Sequence, residues 1–86
     1  MTIENIVNEL LSKIPYSKKY QKVRSKIQTS LEEKYNEYIK ENDNLTSITK
    51  ILEKYGTIEA SGLLAGYKLE EIKSWKQDEN LTDYKT

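Results

Sequence analysis

Cysteine and histidine are both absent from this 86-residue chain. Without cysteine there is no disulfide framework and no thiolate metal site, which suits a reducing compartment. Without histidine the chain lacks the side chain that most often serves as general base or zinc ligand. Phenylalanine is also missing, so seven Tyr and one Trp make up the aromatic content. Proline occurs once and glycine three times, so few residues interrupt helices. No apolar run reaches the length a bilayer span requires. The N-terminal stretch from Met1 to Pro15 lacks the charged start and continuous apolar region of a signal peptide.

What remains is one short, polar domain. Hydrophobic residues are 36% and charged residues 33%, and a chain of this size buries only about 60–65% of its unfolded surface. The core is therefore expected to be thin and the stability modest. Lys and Arg balance Asp and Glu at 14 each, but unevenly along the chain. Residues 1–30 hold six basic against two acidic residues, and residues 31–60 hold four against seven. That balance is far from the basic footprint of a nucleic-acid binder.

The apolar spacing is helical throughout. Ile3, Ile6, Val7, Leu10, Leu11 and Ile14 fall on one helix face, with Thr2 as the predicted cap and Pro15 as the stop. A second, long helix is predicted from a Ser17 cap to about residue 40, roughly 35 Å long. Its apolar positions run through Tyr20, Val23, Ile27, Leu31, Tyr35, Tyr38 and Ile39. A polar turn at 41–44 precedes a third helix capped by Asn44, with Leu45, Ile48, Ile51, Leu52 and Tyr55 as its apolar face. Gly56 is its expected left-handed stop. Thr57 caps a short fourth helix ending at Gly66, and a fifth carries Leu69, Ile72 and Trp75. The expected fold is all-α: a small bundle of four to five helices with one long central helix. Residues 1–77 form the domain, and 78–86 read as a polar, flexible tail.

Few arrangements could carry chemistry. The paired carboxylates Glu32-Glu33 and Glu70-Glu71 are helix neighbours about 100° apart, so they do not form an acid/base dyad. They read instead as a solvated face with ion pairs such as Glu37–Lys40 and Glu70–Lys73. No motif supports a Ser–Lys nucleophile. Catalytic, cofactor-binding and metal-ligating residues are all expected to be absent, and the chain is read as no enzyme.

Binding features are better represented. Lys18, Lys22 and Lys26 form a line at i, i+4 and i+8 that could contact anionic headgroups or phosphates; the competing reading is a solubilising face. The C-terminal half of the same helix is acidic, through Glu32, Glu33, Glu37 and Glu41. A helix so polarised suits a partner or antiparallel self-association. Tyr35 and Tyr38, with Glu33 and Glu37, offer aromatic anchors rimmed by charge, and Trp75 joins them if the tail docks. In the last third, Gly62, Gly66, Ile72 and Trp75 meet the spacing of a helix-turn-helix over residues 57–77. Its second helix would face DNA with Glu70 and Glu71 and without Arg, which opposes phosphate contact.

Residues 1 to about 66 resemble the HAAS-type, or permease-prefix, cytoplasmic helical signalling domain of low-GC Gram-positive bacteria. Ile14-Pro15 resembles its Leu-Pro helix end. The stretch Leu31-Glu32-Glu33-Lys34-Tyr35-Asn36-Glu37-Tyr38-Ile39 resembles the core of its long helix. Glu53-Lys54-Tyr55-Gly56-Thr57-Ile58-Glu59 resembles its "EFGxidE" element. Tyr55 replaces the usual Phe, and Ala60 and Ser61 replace an apolar Leu. The resemblance implies a sensing or protein-interaction domain, at the inner face of the membrane, whose partner is a PadR-type regulator or a membrane segment of the same protein. It implies no catalytic residue. The expectation is thus a non-enzymatic, intracellular interaction and sensing module, with a homodimer as a further partner mode. The alternative is a small helix-turn-helix DNA-binding regulator using residues 57–77.

Overall fold

A computed structural model describes residues 2–79, with side chains to residue 75. It is an all-α bundle of five helices: α1 (Ile3–Leu11), α2 (Gln21–Ile39), α3 (Asn44–Tyr55), α4 (Ile58–Leu64) and α5 (Leu69–Glu79). No strand occurs among the described residues. α2 is the centre, packing on α1, α3 and α4, while α5 packs chiefly on α4. Residues 80–86, most of the expected tail, lie outside the described residues; α5 itself runs to Glu79, two residues into that tail.

α1 forms as its spacing predicts. The Thr2 hydroxyl accepts the Asn5 amide at 3.2 Å, and Ile6, Val7, Leu10 and Leu11 are buried. The helix ends at Leu11, four residues before Pro15. Ile14 still lies in the core, carried there by a turn in which Lys13 and Ile14 amides bond to Leu10 and Leu11 carbonyls. α1 has no basic residue in its last turn. Arg24 of α2 supplies the missing cation: its Nη1 donates to the Leu11 carbonyl at 2.7 Å and the Ile14 carbonyl at 3.2 Å. The guanidinium thus sits at the negative end of the α1 dipole, adding a second hydrogen bond to the Leu11 carbonyl and one to that of Ile14.

The long helix begins later than expected. Residues Lys18–Tyr20 form a 3-10 turn, and the Ser17 side chain makes no cap bond. The 19 residues of α2 proper span about 28 Å rather than 35 Å. α3 is capped one residue earlier than expected, by Asp43, whose Oδ1 accepts the Thr46 amide at 2.8 Å. That bond holds the Asp43 carboxyl below its ordinary range, because the charged form is the better acceptor. Gly56 is not left-handed; its φ is −77°. Glycine is needed there because a Cβ would stand 2.3 Å from the Leu52 carbonyl oxygen.

The core joins Ile6, Val7, Leu10, Leu11 and Ile14 to Tyr20, Ile27 and Leu31, Ile48 and Ile51, Ile58, and Ile72 and Trp75. α3 is rotated relative to the expected face. Leu45 is 73% and Leu52 43% exposed, whereas Ser47 is fully buried. The buried arc is centred on Ile51, with Ser47 and Ile48 on either side of it. The Ser47 hydroxyl finds no hydrogen-bond partner there. An unpaired buried hydroxyl costs about 1–3 kcal/mol, and alanine fills a helix better than serine. Ser47→Ala is therefore expected to stabilise the domain by about 1 kcal/mol, seen as a raised urea midpoint at unchanged slope. A lower midpoint would mean that the hydroxyl is satisfied in solution.

Candidate interaction surface

The surface follows from how α2 is wedged into the bundle. One side, through Tyr20, Ile27 and Leu31, goes to the core, and Val23, Lys34, Tyr35 and Tyr38 flank it half-buried. At about 100° per residue, Lys22, Lys26, Glu33 and Glu37 fall within about 60° of arc, centred roughly 130° around the helix from Ile27 and Leu31. All four are exposed, as is Lys18 in the preceding turn. The lysines expected to meet an anionic surface and the glutamates expected to meet a protein thus share one outward face.

The tyrosines assigned with Glu33 and Glu37 lie elsewhere. Glu33 and Tyr35 stand two residues apart, about 200° around the helix, so they cannot share a face. The Tyr35 hydroxyl donates to Asn44 Oδ1 at the start of α3. The Tyr38 ring lies under two α3 lysines, with Lys50 Nζ at 5.7 Å and Lys54 Nζ at 6.0 Å. Both tyrosines bind α2 to α3. Trp75 also leaves the candidate surface: it is 5% exposed and meets Tyr67 edge-on at 5.2 Å. Its packing belongs to the fold.

The charges on the outward face are little used internally. Glu37 Oε1 holds Lys34 Nζ at 3.4 Å, in place of the expected Glu37–Lys40 pair. The hydrogen bond to Glu37, then its charge, holds the Lys34 ammonium above its ordinary range. Lys26 Nζ approaches the Tyr67 ring at 5.5 Å. Among the described residues, neither Lys22 nor Glu33 has an ion partner.

A shallow groove of about 620 Å³ lies between α1 and α2, lined by Asn8, Tyr16, Lys18, Gln21, Arg24 and Ser25 among others. The Arg24 guanidinium stacks on the exposed Tyr16 ring at 4.8 Å. Among the described residues, neither Ser17 nor Ser25 hydrogen-bonds a lysine, and no group of three or more carboxylates could hold a metal ion. No described helix is long and apolar enough to cross a membrane.

Three of the four positions of the helix-turn-helix spacing, Gly62, Ile72 and Trp75, pack together, and Gly66 forms the turn between their helices. α4 ends in a turn where the Gly66 amide bonds to the Leu63 carbonyl and the Tyr67 amide to the Gly62 carbonyl, both at 3.0 Å. Gly66 has φ +99°, the left-handed position that such a turn reserves for glycine. Glu71 Oε1 then accepts the Lys68 amide at 2.8 Å and starts α5. A Cβ on Gly62 would stand 2.6 Å from Ile72 Cδ1 and 3.4 Å from Trp75 Cη2, so α5 rests directly on the bare backbone of α4. Burial raises the pKa of the Tyr67 hydroxyl, with the Glu71 charge adding to the effect. Glu70, Glu71 and Lys73 are exposed along α5.

No protein-family model, curated protein or solved structure matches the chain.

Proposed function

We propose that the chain is a non-enzymatic interaction module that offers the outward face of α2 to a protein partner. The observation that carries this reading is the sorting of charge on that face. Lys22 and Lys26, four residues apart and continued by Lys18 in the preceding turn, carry one sign, and Glu33 and Glu37 repeat the other. Like charges at that spacing destabilise a helix by about 0.2–0.5 kcal/mol per pair. Interspersed signs would give the same solubility without that cost. A face that costs the isolated chain energy is better accounted for by something that binds it. The permease-prefix resemblance implies the same class of role, in the cytoplasm beside a membrane.

The DNA-binding alternative over residues 57–77 draws on the tight pairing of α4 with α5. Against it stand Glu70 and Glu71, exposed in the first turn of the helix that would enter the groove.

A photo-crosslinking amino acid at Thr29, midway along the outward face, tests the proposal in the native cells. A discrete protein adduct is expected from Thr29 and none from Asn5, which is exposed on α1. Uncrosslinked chain alone from the Thr29 position would remove the proposal.

A further inference from the structure

The outward face of α2 carries a symmetry of its own. Lys26 and Glu33 are equidistant from the midpoint between Thr29 and Ser30. So are Lys22 and Glu37 and, in the turns that flank α2, Lys18 and Glu41. Reversing the direction of the helix about that midpoint therefore lays every one of these lysines over a glutamate. The midpoint itself is occupied by two small side chains, Thr29 exposed and Ser30 half-buried. Small residues at the crossing let two helices approach without a steric barrier. The face is also rigid: it runs along 19 residues of unbroken helix, held from behind by α1, α3 and α4.

From this geometry we infer that the partner of the face is a second copy of the chain, docked antiparallel about a two-fold axis passing between Thr29 and Ser30. The inference rests on the reading of this face as an interaction surface and names its occupant. A two-fold contact is self-complementary, so each matched pair occurs twice. The arrangement converts the like-charge repeats within each helix into alternating contacts between helices. Lys22 and Glu33, without ion partners among the described residues, acquire them. Glu37 exchanges an exposed pairing with Lys34 for one with Lys22 of the other copy. Exposed ion pairs are individually weak and screened by salt, so the dimer is reversible and electrostatic.

The chain has no native cysteine, so single cysteines can report the geometry. Across the inferred axis, two copies of Thr29→Cys lie side by side. Two copies of Asn36→Cys lie about 20 Å apart along the helix axes. Under mild oxidation at about 50 mM salt, the Thr29→Cys chain is expected to form disulfide-linked dimer at least tenfold faster than the Asn36→Cys chain. At about 500 mM salt the difference should collapse. In sedimentation, K22E/K26E and E33K/E37K should each be monomeric alone and form a heterodimer when mixed, with helical content unchanged. Equal crosslinking at the two positions would overturn the antiparallel axis. Monomer throughout, at about 0.5 mM protein and low salt, would overturn the dimer. A Thr29 photo-adduct with a foreign protein would also overturn it while leaving the interaction module intact. Vesicles of anionic lipid that bind the monomer, and bind E33K/E37K more tightly, would assign the lysines to a membrane surface instead.

Discussion

Trp75→Ala should cost the domain about 3–5 kcal/mol, the range for removing a buried tryptophan from a core. Trp75 is 5% exposed and shares the core with Ile72, Gly62 and Tyr67. Small domains hold about 5–15 kcal/mol in all, so the variant should be partly unfolded at 37 °C. The measurement is urea unfolding followed by circular dichroism, because the variant lacks the one tryptophan that would report by fluorescence. A loss below about 1 kcal/mol would show that the ring sits at the surface in solution and would return it to the candidate partner set.

Gly62→Val should act on the same contact from the other side. A Cβ at this position already meets Ile72 Cδ1 at 2.6 Å and Cγ1 at 2.8 Å. Ile72 is fully buried and has little room to retreat. The branched side chain is expected to destabilise by about 2–3 kcal/mol through overpacking. For a domain of this size that lowers Tm by roughly 10–20 °C. Gly62→Ala should cost less, because alanine's better helix propensity, about 1 kcal/mol, offsets part of the clash. The two sites touch, so the double variant Gly62→Val/Trp75→Ala should fall short of the summed losses by about 1 kcal/mol or more. Additive losses would mean that α5 does not pack on α4 through this glycine.

The fold was legible in the spacing because apolar periodicity reports burial directly. It reports helix ends poorly. Ile14 continues the α1 pattern although the helix stops at Leu11, because a turn can bury a residue as well as a helix can. The α3 cap was displaced by one residue between two adjacent side chains of similar capping chemistry, Asp43 and Asn44. Leu45 and Leu52 belong to the expected apolar face of α3 and Ser47 does not, yet Ser47 is buried and both leucines are exposed, since hydrophobicity alone does not fix which side of a helix turns inward. The candidate surface was legible as charge but not as shape. Its lysines and glutamates stood in the spacing, and so did the roughly 200° that separates Glu33 from Tyr35. The contribution of Gly62, Gly66, Ile72 and Trp75 was visible as a pattern. Its use in packing needed the approach distance at Gly62.

The contacts of α4 set how force would travel through the molecule. α5 bears chiefly on α4, and α4 in turn bears on α2 and α3. A load applied at the end of α5 therefore reaches the central helix chiefly through the seven residues of α4, with Gly62 as the bearing point. Any domain or tether joined after α5 would pull on that joint first.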